Sequence, residues 1–288
     1  MKTRTFLFSL CLVGFSISAS AQTATIAAWN LKGFTPISQA QATRQANAIR
    51  NLDPDVILLC EVNRDSIATT IKNQLTGYDV RILPQSANQN LAILFKNSVS
   101  VTNVRFISRS DDNNSALRKA LAATVRVGQF DFLLIGVHMK SARGAADRST
   151  RTRQAQAIAN FIRQQTQGDE KDVLVVGDYN MIPGEDNVNF RAMSPGTGTN
   201  EFLRYISTEA LTGRTSHISR CENGQPRGNL LDGFAISRGH TAEYVANSLR
   251  MVNFNNSIFG SVTCSQYLSG ISDHLMLTAE FRTNNDDD

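Results

Sequence analysis

Short apolar runs separated by polar, turn-forming stretches dominate this chain, which is typical of a protein rich in β-strands. Segments with apolar residues at helical spacing are fewer: residues 43–52 and 151–165, with residues 65–75 as a third. The apolar runs predict strands at residues 25–31, 56–62, 80–83, 91–96, 120–127, 130–139, 173–179, 230–237 and 274–282. Many strands with few helices predict an α/β sandwich in which two sheets pack face to face and helices lie outside.

The first residues predict a secretory signal peptide. Lys2 and Arg4 precede an apolar run at residues 6–17, and small residues at 19–21 supply a cleavage site after Ala21. The run is short for a membrane span and lacks a stop-transfer flank; a membrane anchor is the alternative. We therefore expect a bacterial-type mature protein that is periplasmic or extracellular.

Beyond the leader, no repeat or linker interrupts residues 22–282, which predicts one domain, and residues 283–288 predict a disordered acidic tail. The chain has 288 residues, of which 41% are hydrophobic. Removing residues 1–21 takes away Lys2 and Arg4 but no acid, so the net charge falls from +4 to +2. A mildly basic body is compatible with an anionic partner without requiring one.

Three cysteines remain after removal of the leader: Cys60, Cys221 and Cys264. In an oxidising compartment an odd number suggests one bridge and one spare thiol. Cys60 lies in the apolar segment VILLCEV and is interpreted as a buried small hydrophobe. By elimination, we predict a disulfide between Cys221 and Cys264.

Polar side chains end or interrupt several of the predicted strands. Asp178 and Asn180 follow the apolar run 173–176, and strand alternation would point both the same way. This segment could be only a turn, since Gly, Asp and Asn all favour turns. The same pattern recurs, however, at Asn30, Glu61, His138, Asp273 and His274. Carboxylates beside buried strands need partners, so we expect these groups to meet around a cation, a water or a phosphate.

The motifs WN, CEV, GVHMKS, GDYN, LLDGFAIS and SDH occur in the order found in the endonuclease/exonuclease/phosphatase superfamily. That superfamily includes pancreatic-type deoxyribonucleases, apurinic endonucleases, neutral sphingomyelinases and inositol phosphatases. The chain resembles it from about residue 26 to residue 281. The resemblance implies a four-layer sandwich of two mixed β-sheets flanked by helices. It also implies divalent-metal-dependent hydrolysis of a phosphate ester at one edge of the sandwich.

The resemblance also suggests roles for individual residues. Glu61 resembles the main metal ligand, Asn30 the amide that helps hold the same site, and Asp273 the acid nearby. Hard oxygen ligands suit Mg²⁺, with Mn²⁺ or Ca²⁺ as alternatives. His274 resembles the catalytic histidine, and Asp232 the acid that orients it.

Other roles stay open at this point. Asp178 and Asn180 would hold the attacking water or the phosphate, and either Asp178 or His274 could be the base. His138 resembles a second histidine that contacts phosphate or assists the leaving group. Segment 87–91 carries amides where pancreatic-type deoxyribonucleases have a pairing glutamate, which favours phosphate contact; a structural histidine is the alternative. His217 and His240 lie outside every motif and are interpreted as structural.

A basic stretch follows His138, and guanidinium groups suit phosphate oxygens. We predict that Lys140, Arg143 and Arg148 bind the substrate backbone, with Arg118 as a further phosphate contact. Arg151 and Arg153 belong to the same stretch, and a merely solvated loop is the alternative.

The leading hypothesis is a secreted Mg²⁺-dependent nuclease acting on DNA, with RNA left open, as a monomer without stable membrane association. A sphingomyelinase-like phospholipid hydrolase is the alternative; such an enzyme would need an exposed aromatic device, for which Phe254 and Phe259 are candidates. A third hypothesis is a binding protein that has lost catalytic activity. The intact set of motif residues argues against it.

Overall fold

The computed structural model describes residues 22–33, 38–62, 67–85, 89–168, 171–284 and 286. Its strands are β1 (Thr23–Asn30), β2 (Val56–Val62), β3 (Tyr78–Leu83), β4 (Asn90–Lys96), β5 (Ser100–Phe106), β6 (Leu121–Val127), β7 (Phe130–His138), β8 (Val173–Asp178), β9 (Leu203–Arg204), β10 (His217–Glu222), β11 (Gln225–Asn229), β12 (Asp232–Ser237), β13 (Arg250–Met251) and β14 (Leu277–Arg282). Its α-helices are α1 (Gln39–Leu52), α2 (Ile67–Gln74), α3 (Ala145–Gln165), α4 (Asn187–Met193), α5 (Ile206–Leu211) and α6 (Cys264–Gly270).

Within this part of the chain the strands form two mixed six-stranded sheets and a separate hairpin. The first sheet has the order β13-β14-β1-β2-β4-β3, and the second has the order β5-β6-β7-β8-β12-β9. The hairpin consists of β10 and β11. The predicted four-layer α/β sandwich is confirmed.

Three apolar cores separate the four layers. The central core lies between the sheets, where Leu58 of the first meets Leu134 and Phe234 of the second. A second core packs the first sheet against α1 and α6, and a third packs the second sheet against α3 and α4. Because both faces of each sheet are covered, the central strands are apolar at nearly every position rather than at alternate ones.

Strand direction decides where the polar strand ends meet. β1 runs parallel to β2, and β7 runs parallel to β8, so these four strands finish at one edge of the sandwich. β12 runs antiparallel to β8 and begins at that same edge, with Asp232 opposite Asp178. β14 likewise runs antiparallel to β1. The fold therefore collects residues from six distant segments at one rim.

Several boundaries differ from the predicted ones. α1 begins at Gln39, where the side chain of Ser38 caps it, and α3 begins at Ala145. Both helices start with exposed residues that carry no pattern of buried apolar positions. β5 and the β10–β11 hairpin were not predicted, because their exposed positions interrupt the apolar pattern. The predicted helix at 65–75 is observed from Ile67 to Gln74; residues 65 and 66 lie outside the described part.

The predicted leader and tail can be compared with the structure only where it describes the two chain ends. Residues 1–21, and residues 285, 287 and 288, lie outside the described residues. Thr283, which was assigned to the tail, is buried and belongs to the fold, since its backbone bonds both Gln22 and Gln129. Among the helices that the structure describes, none has the length and hydropathy to cross a membrane.

The predicted disulfide is present. Cys221 of β10 is bonded to Cys264 at the start of α6, 43 positions later in the sequence. Cys60 is a buried free thiol, as expected. The bridge joins the hairpin to the helix that leads into the segment carrying Asp273 and His274.

Candidate active site

Glu61 reaches the rim through an irregularity in β2. The pairing of β2 with β4 shifts register between Leu59 and Val62, and Glu61 has a left-handed backbone with φ of 57°. Such a bulge re-aims a side chain at a strand end, and non-glycine residues in this conformation cluster at functional sites. The Glu61 side chain is buried and faces the amide of Asn30, whose nitrogen lies 3.2 Å from Glu61 Oε1.

Asn30 holds two carboxylates side by side. Its amide nitrogen donates to Glu61 and also to Asp178 Oδ2 at 3.1 Å, while its carbonyl oxygen accepts from the backbone of Lys32. The amide therefore orients the two acids, and its own oxygen is already engaged. Asn30 was predicted to help hold the metal site, and the structure places it behind the acids rather than in the cavity lining.

Asp178 ends β8, at a point where this strand packs very closely against β7. A Cβ on the preceding Gly177 would lie 2.2 Å from the carbonyl oxygen of Val137, and Gly177 has φ of 128°, so glycine is required there. Asn180, with φ of 51°, turns the chain away and donates its backbone N–H to Asp178 Oδ1 at 3.0 Å. The Asn180 side chain donates to the carbonyl of Met139, which ties the ends of β7 and β8 together.

His274 is paired with Asp232. Its Nδ1 lies 2.8 Å from Asp232 Oδ2, and its Nε2 lies 3.8 Å from Asp178 and 4.0 Å from Asp273. Burial alone would lower the pKa of His274, but Asp232 and Asp178 outweigh it and raise the pKa to about 10. The imidazole is therefore a cation at neutral pH, with Nε2 turned toward the other acids.

Hydrogen bonds from several elements hold the backbone of His274. The indole nitrogen of Trp29 and the hydroxyl of Tyr267 both donate to its carbonyl oxygen. The hydroxyl of Ser272 donates to the carbonyl of Asn30 and accepts from the backbone N–H of His274. The segment that carries His274 is thus tied to the end of β1 and to α6.

His138 ends β7 next to the two carboxylates. Its Nε2 lies 3.7 Å from Glu61 Oε1 and 3.6 Å from Asp178 Oδ2. Burial, together with the positive charges of Arg118 and His274, holds the pKa of His138 well below its usual range. A neutral imidazole can contact a phosphate oxygen by hydrogen bonding, which suits the role favoured from sequence better than that of a strong general acid.

These groups line an open cavity of about 350 Å³. Glu61, His138, Asp178, Asn180, Asp273 and His274 contribute to its wall, together with Arg118 and Arg143. Burial raises the pKa of Asp178 to about 7 against the opposing charge of His274, and burial also raises the pKa of Glu61. Packing acids this closely in a buried wall is unfavourable unless positive charge is added.

A divalent cation fits this donor set. Glu61 Oε2 is buried and has no hydrogen-bond partner among the described residues, which leaves one carboxylate oxygen directed at nothing else. Asp178, Asp232 and His274 also each offer an atom within 4.8 Å of the others. Because Asp232 and His274 Nδ1 already bond each other, Glu61 and Asp178 are the better ligands, with Asp273 nearby. Hard carboxylate oxygens are what Mg²⁺ prefers.

The predicted substrate-binding side chains divide into two groups. Arg118 is buried, donates to the carbonyl of Met139 and lines the cavity, as does Arg143. Lys140 is 3.0 Å from Asp147, and Arg148 lies against Asp186 and Glu185, so the structure does not bring either into the cavity wall.

Asp186 explains why Arg148 and Arg151 of that basic stretch turn away from the cavity. This buried acid accepts from Arg143 and from the fully buried Arg151, each at 3.2 Å, and lies 3.5 Å from Arg148. Arg153 is engaged separately by Asp112. Sequence reasoning missed Asp186, because an aspartate in a turn after Pro183 carries no distinguishing pattern.

Two further residues of the site were not predicted. His217 was interpreted as structural, but its ring lies 4.8 Å from that of His274 and lines the cavity. Ser216 donates to Asp232 Oδ2 at 2.7 Å, so that oxygen serves both Ser216 and His274. A backbone bridge between His217 and His274 helps bring them here, and no motif marked it. His240 instead packs against Phe202.

The aromatic residues proposed as a membrane device are part of the core. Phe254 and Phe259 are both buried, and both pack against Tyr267. Among the described residues the large hydrophobic side chain that stands exposed is Val188. These two phenylalanines are therefore not available for contact with a lipid surface.

Solved structures share this fold at low sequence identity. TDP2 of D. rerio in complex with a single-strand DNA product is 18% identical, with a TM-score of 0.67 over 91% of this chain and 99% of that one. The 3′ phosphatase NExo from Neisseria, bound to a product DNA hairpin, is 15% identical, with a TM-score of 0.64 over 90% of this chain and 99% of that one. A protein of Bacteroides thetaiotaomicron described as endonuclease/exonuclease/phosphatase family is 12% identical, with a TM-score of 0.65 and coverages of 91% and 98%.

No curated protein matches the chain in sequence. The model of the Endonuclease/Exonuclease/phosphatase family matches residues 27–275, which includes every segment that lines the rim. Family match, four-layer architecture and clustered motif residues agree, and the chain belongs to the endonuclease/exonuclease/phosphatase family.

Proposed function

We propose that this protein is a secreted, Mg²⁺-dependent nuclease that hydrolyses phosphodiester bonds of DNA. The observation that carries the proposal is the meeting of Glu61, Asp178 and His274 in one open cavity, with a carboxylate oxygen left free and a cationic imidazole opposite. The apolar leader at residues 6–17 and the disulfide both favour an oxidising, extracytoplasmic compartment.

In this proposal Glu61 and Asp178 hold the cation, and Asn30 keeps both acids in place. When bound, Mg²⁺ would supply positive charge that offsets the negative charge developing on the reacting phosphate. Asp273 lies close enough to His274 to contribute negative charge at the same rim.

The remaining steps belong to side chains of this chain. Asp178 takes the proton of the attacking water, because its carboxylate lines the cavity with Oδ2 3.6 Å from His138 Nε2 and 3.8 Å from His274 Nε2. His274, protonated and held by Asp232, donates from Nε2 to a phosphate oxygen and stabilises the charge that develops there. Arg118 and neutral His138 contact the other phosphate oxygens. The choice of base that sequence left open is thereby assigned to Asp178.

The relatives support nucleic acid as the substrate class. TDP2 of D. rerio is seen with a single-strand DNA product, and NExo from Neisseria is seen with a DNA hairpin product. An open cavity with arginines in its wall also suits a polyanion. The burial of Phe254 and Phe259 removes the feature that would have favoured a phospholipid substrate.

The test is turnover by the mature protein, residues 22–288, with plasmid DNA, RNA, sphingomyelin vesicles and bis(p-nitrophenyl) phosphate. Each substrate is incubated with Mg²⁺, Mn²⁺, Ca²⁺ or chelator. We expect DNA cleavage with Mg²⁺, none with chelator, and loss of cleavage in Glu61→Ala with an unchanged circular dichroism spectrum. Glu209→Ala, at the opposite end of the second sheet, is the matched control. Hydrolysis of sphingomyelin alone, or full activity of Glu61→Ala, would contradict the proposal.

A further inference from the structure

The hairpin of β10 and β11 starts in the wall of the cavity. Its first cross-strand pair, His217 and Asn229, lines the cavity, and the backbone of His217 bridges to His274. The next residue, Ile218, is buried in the core and donates its backbone N–H to the carbonyl of Asp273. The base of the hairpin is therefore fixed against the catalytic segment, while the remainder extends outward into solvent.

A β-bulge determines which face carries the charges of this hairpin. Ile218 pairs with Gly228 and Arg220 pairs with Arg227, so Ser219 is an extra residue on β10. Since one extra residue reverses the alternation of side chains, Arg220 shares a face with His217, three positions earlier.

The opposite face of the hairpin is occupied. Ile218 packs in the core, and Cys221 is bonded to Cys264 of α6. The face that carries His217, Asn229, Arg220 and Arg227, here called the hairpin face, is left to solvent beyond the cavity wall. Arg220 and Arg227 are both exposed.

The arrangement of charge on the hairpin face indicates an anionic ligand. Arg220 and Arg227 are directly opposite each other, and like charges in that position destabilise a hairpin. Glu222 lies 2.8 Å from Arg227, but among the described residues Arg220 forms no salt bridge. An exposed pair such as Glu222–Arg227 contributes little and exchanges readily, so both guanidinium groups are available to a phosphate.

The distance of the hairpin arginines from the cavity wall suggests which phosphate of the substrate they bind. Arg227 lies two residues along β11 from Asn229 in the cavity wall, a distance of about 7 Å along the strand. Successive phosphates of one nucleic acid strand are separated on the same scale. We propose that the hairpin face binds the phosphate next to the one held in the cavity, and so makes the enzyme prefer an extended strand over a single phosphodiester. This inference rests on the proposed nuclease function and deepens it.

The test compares a 20-nucleotide single-stranded DNA with a dinucleotide that has one phosphodiester. For Arg220→Gln with Arg227→Gln, we expect the ratio of kcat/KM on the long strand to that on the dinucleotide to fall about tenfold. The slope of log kcat/KM against log salt on the long strand should become shallower by roughly one to two. Arg126→Gln with Arg204→Gln is the matched control, because Arg126 is exposed, Arg204 is half-buried and salt-bridged to Glu209 as Arg227 is to Glu222, and both lie at the opposite end of the second sheet.

A binding measurement separates this inference from the proposed function. Fluorescence anisotropy of the labelled 20-nucleotide strand measures its affinity for the protein, and the presence of chelator prevents turnover. Weaker binding by the hairpin variant than by the control supports binding at the hairpin face, whether or not the DNA is cleaved. Absence of cleavage by the parent protein would refute the nuclease proposal alone. The inference is overturned if the parent protein cleaves DNA but the hairpin variant and the control show equal binding, equal salt slope and equal length preference. That outcome leaves the nuclease proposal intact.

Discussion

Asp232 has its effect through one oxygen atom. Its Oδ2 accepts from Ser216 and pairs with His274, so the acid both orients the imidazole and raises its pKa to about 10. The backbone N–H of Asp232 donates to the same Ser216 hydroxyl, which closes a small network behind the cavity. Asp232 thus positions His274 and does not itself line the cavity.

We expect Asp232→Asn to lower the pKa of His274 and to reduce kcat by about 10²–10⁴, the range for losing a positioned proton-transfer group. The folded pKa of His274 lies above its unfolded value, so the pair stabilises the metal-free protein below about pH 6.5 and loses this contribution as the pH rises through about 10. The free energy of unfolding of the two proteins should therefore differ most at pH 6 and converge above pH 10.

The measurements are NMR titration of the imidazole and urea unfolding across that pH range. Asp131→Asn, at the far end of β7, is the control for loss of one carboxylate from a strand. An unchanged imidazole titration in Asp232→Asn would show that the acid does not govern His274.

At the scale of elements, the disulfide joins two elements that pack on the segment carrying Asp273 and His274. β10 begins at His217, directly after Ser216, and α6 leads into Ser272 and His274. A crosslink between two such elements restricts the unfolded chain and also limits how far they can separate in the folded one.

We expect Cys221→Ser with Cys264→Ser to lower the free energy of unfolding by about 3–4 kcal/mol, as typical for a loop of this length. Reduction of the parent protein with dithiothreitol should give the same loss, and the double variant should not respond to reductant. Denaturant unfolding with and without reductant measures both. A response of the variant to reductant would assign the effect to some other group, since the remaining Cys60 is buried and unbridged.

At the scale of the whole molecule, the six segments at the rim bring together acids that repel one another when no cation is bound. The fold holds Glu61 and Asp178 beside each other through Asn30, at the junction of two sheets. Burial of apolar surface in the three cores stabilises the fold and offsets the repulsion among these acids; the rim itself does not contribute that stability.

Binding of Mg²⁺ should therefore stabilise the native state, by about 1.4 kcal/mol when the free ion is tenfold above its Kd. Thermal unfolding with Mg²⁺ and with chelator gives the shift in Tm, independently of activity. Glu61→Gln should abolish the shift, whereas Glu209→Gln should keep it. An equal shift in both variants would place the ion elsewhere.

Sequence by itself determined the strands that are buried on both faces, because continuous apolar runs such as 56–59 and 173–176 admit few other arrangements. It also determined which polar residues end those strands, so nearly all members of the rim could be named in advance. The bridge between Cys221 and Cys264 followed from the number of cysteines and the apolar surroundings of Cys60.

Only the tertiary structure decided how those residues interact and which others join them. The places of His217 and Ser216 depend on a backbone bridge across 57 positions of the chain, and no local pattern records a long-range pairing. Asp186 draws Arg148 and Arg151 away from the cavity because a buried carboxylate binds the nearest guanidinium groups, whichever segment carries them. Periodicity reports which side of an element is buried; charge pairing and register between distant segments exist only once the chain has folded.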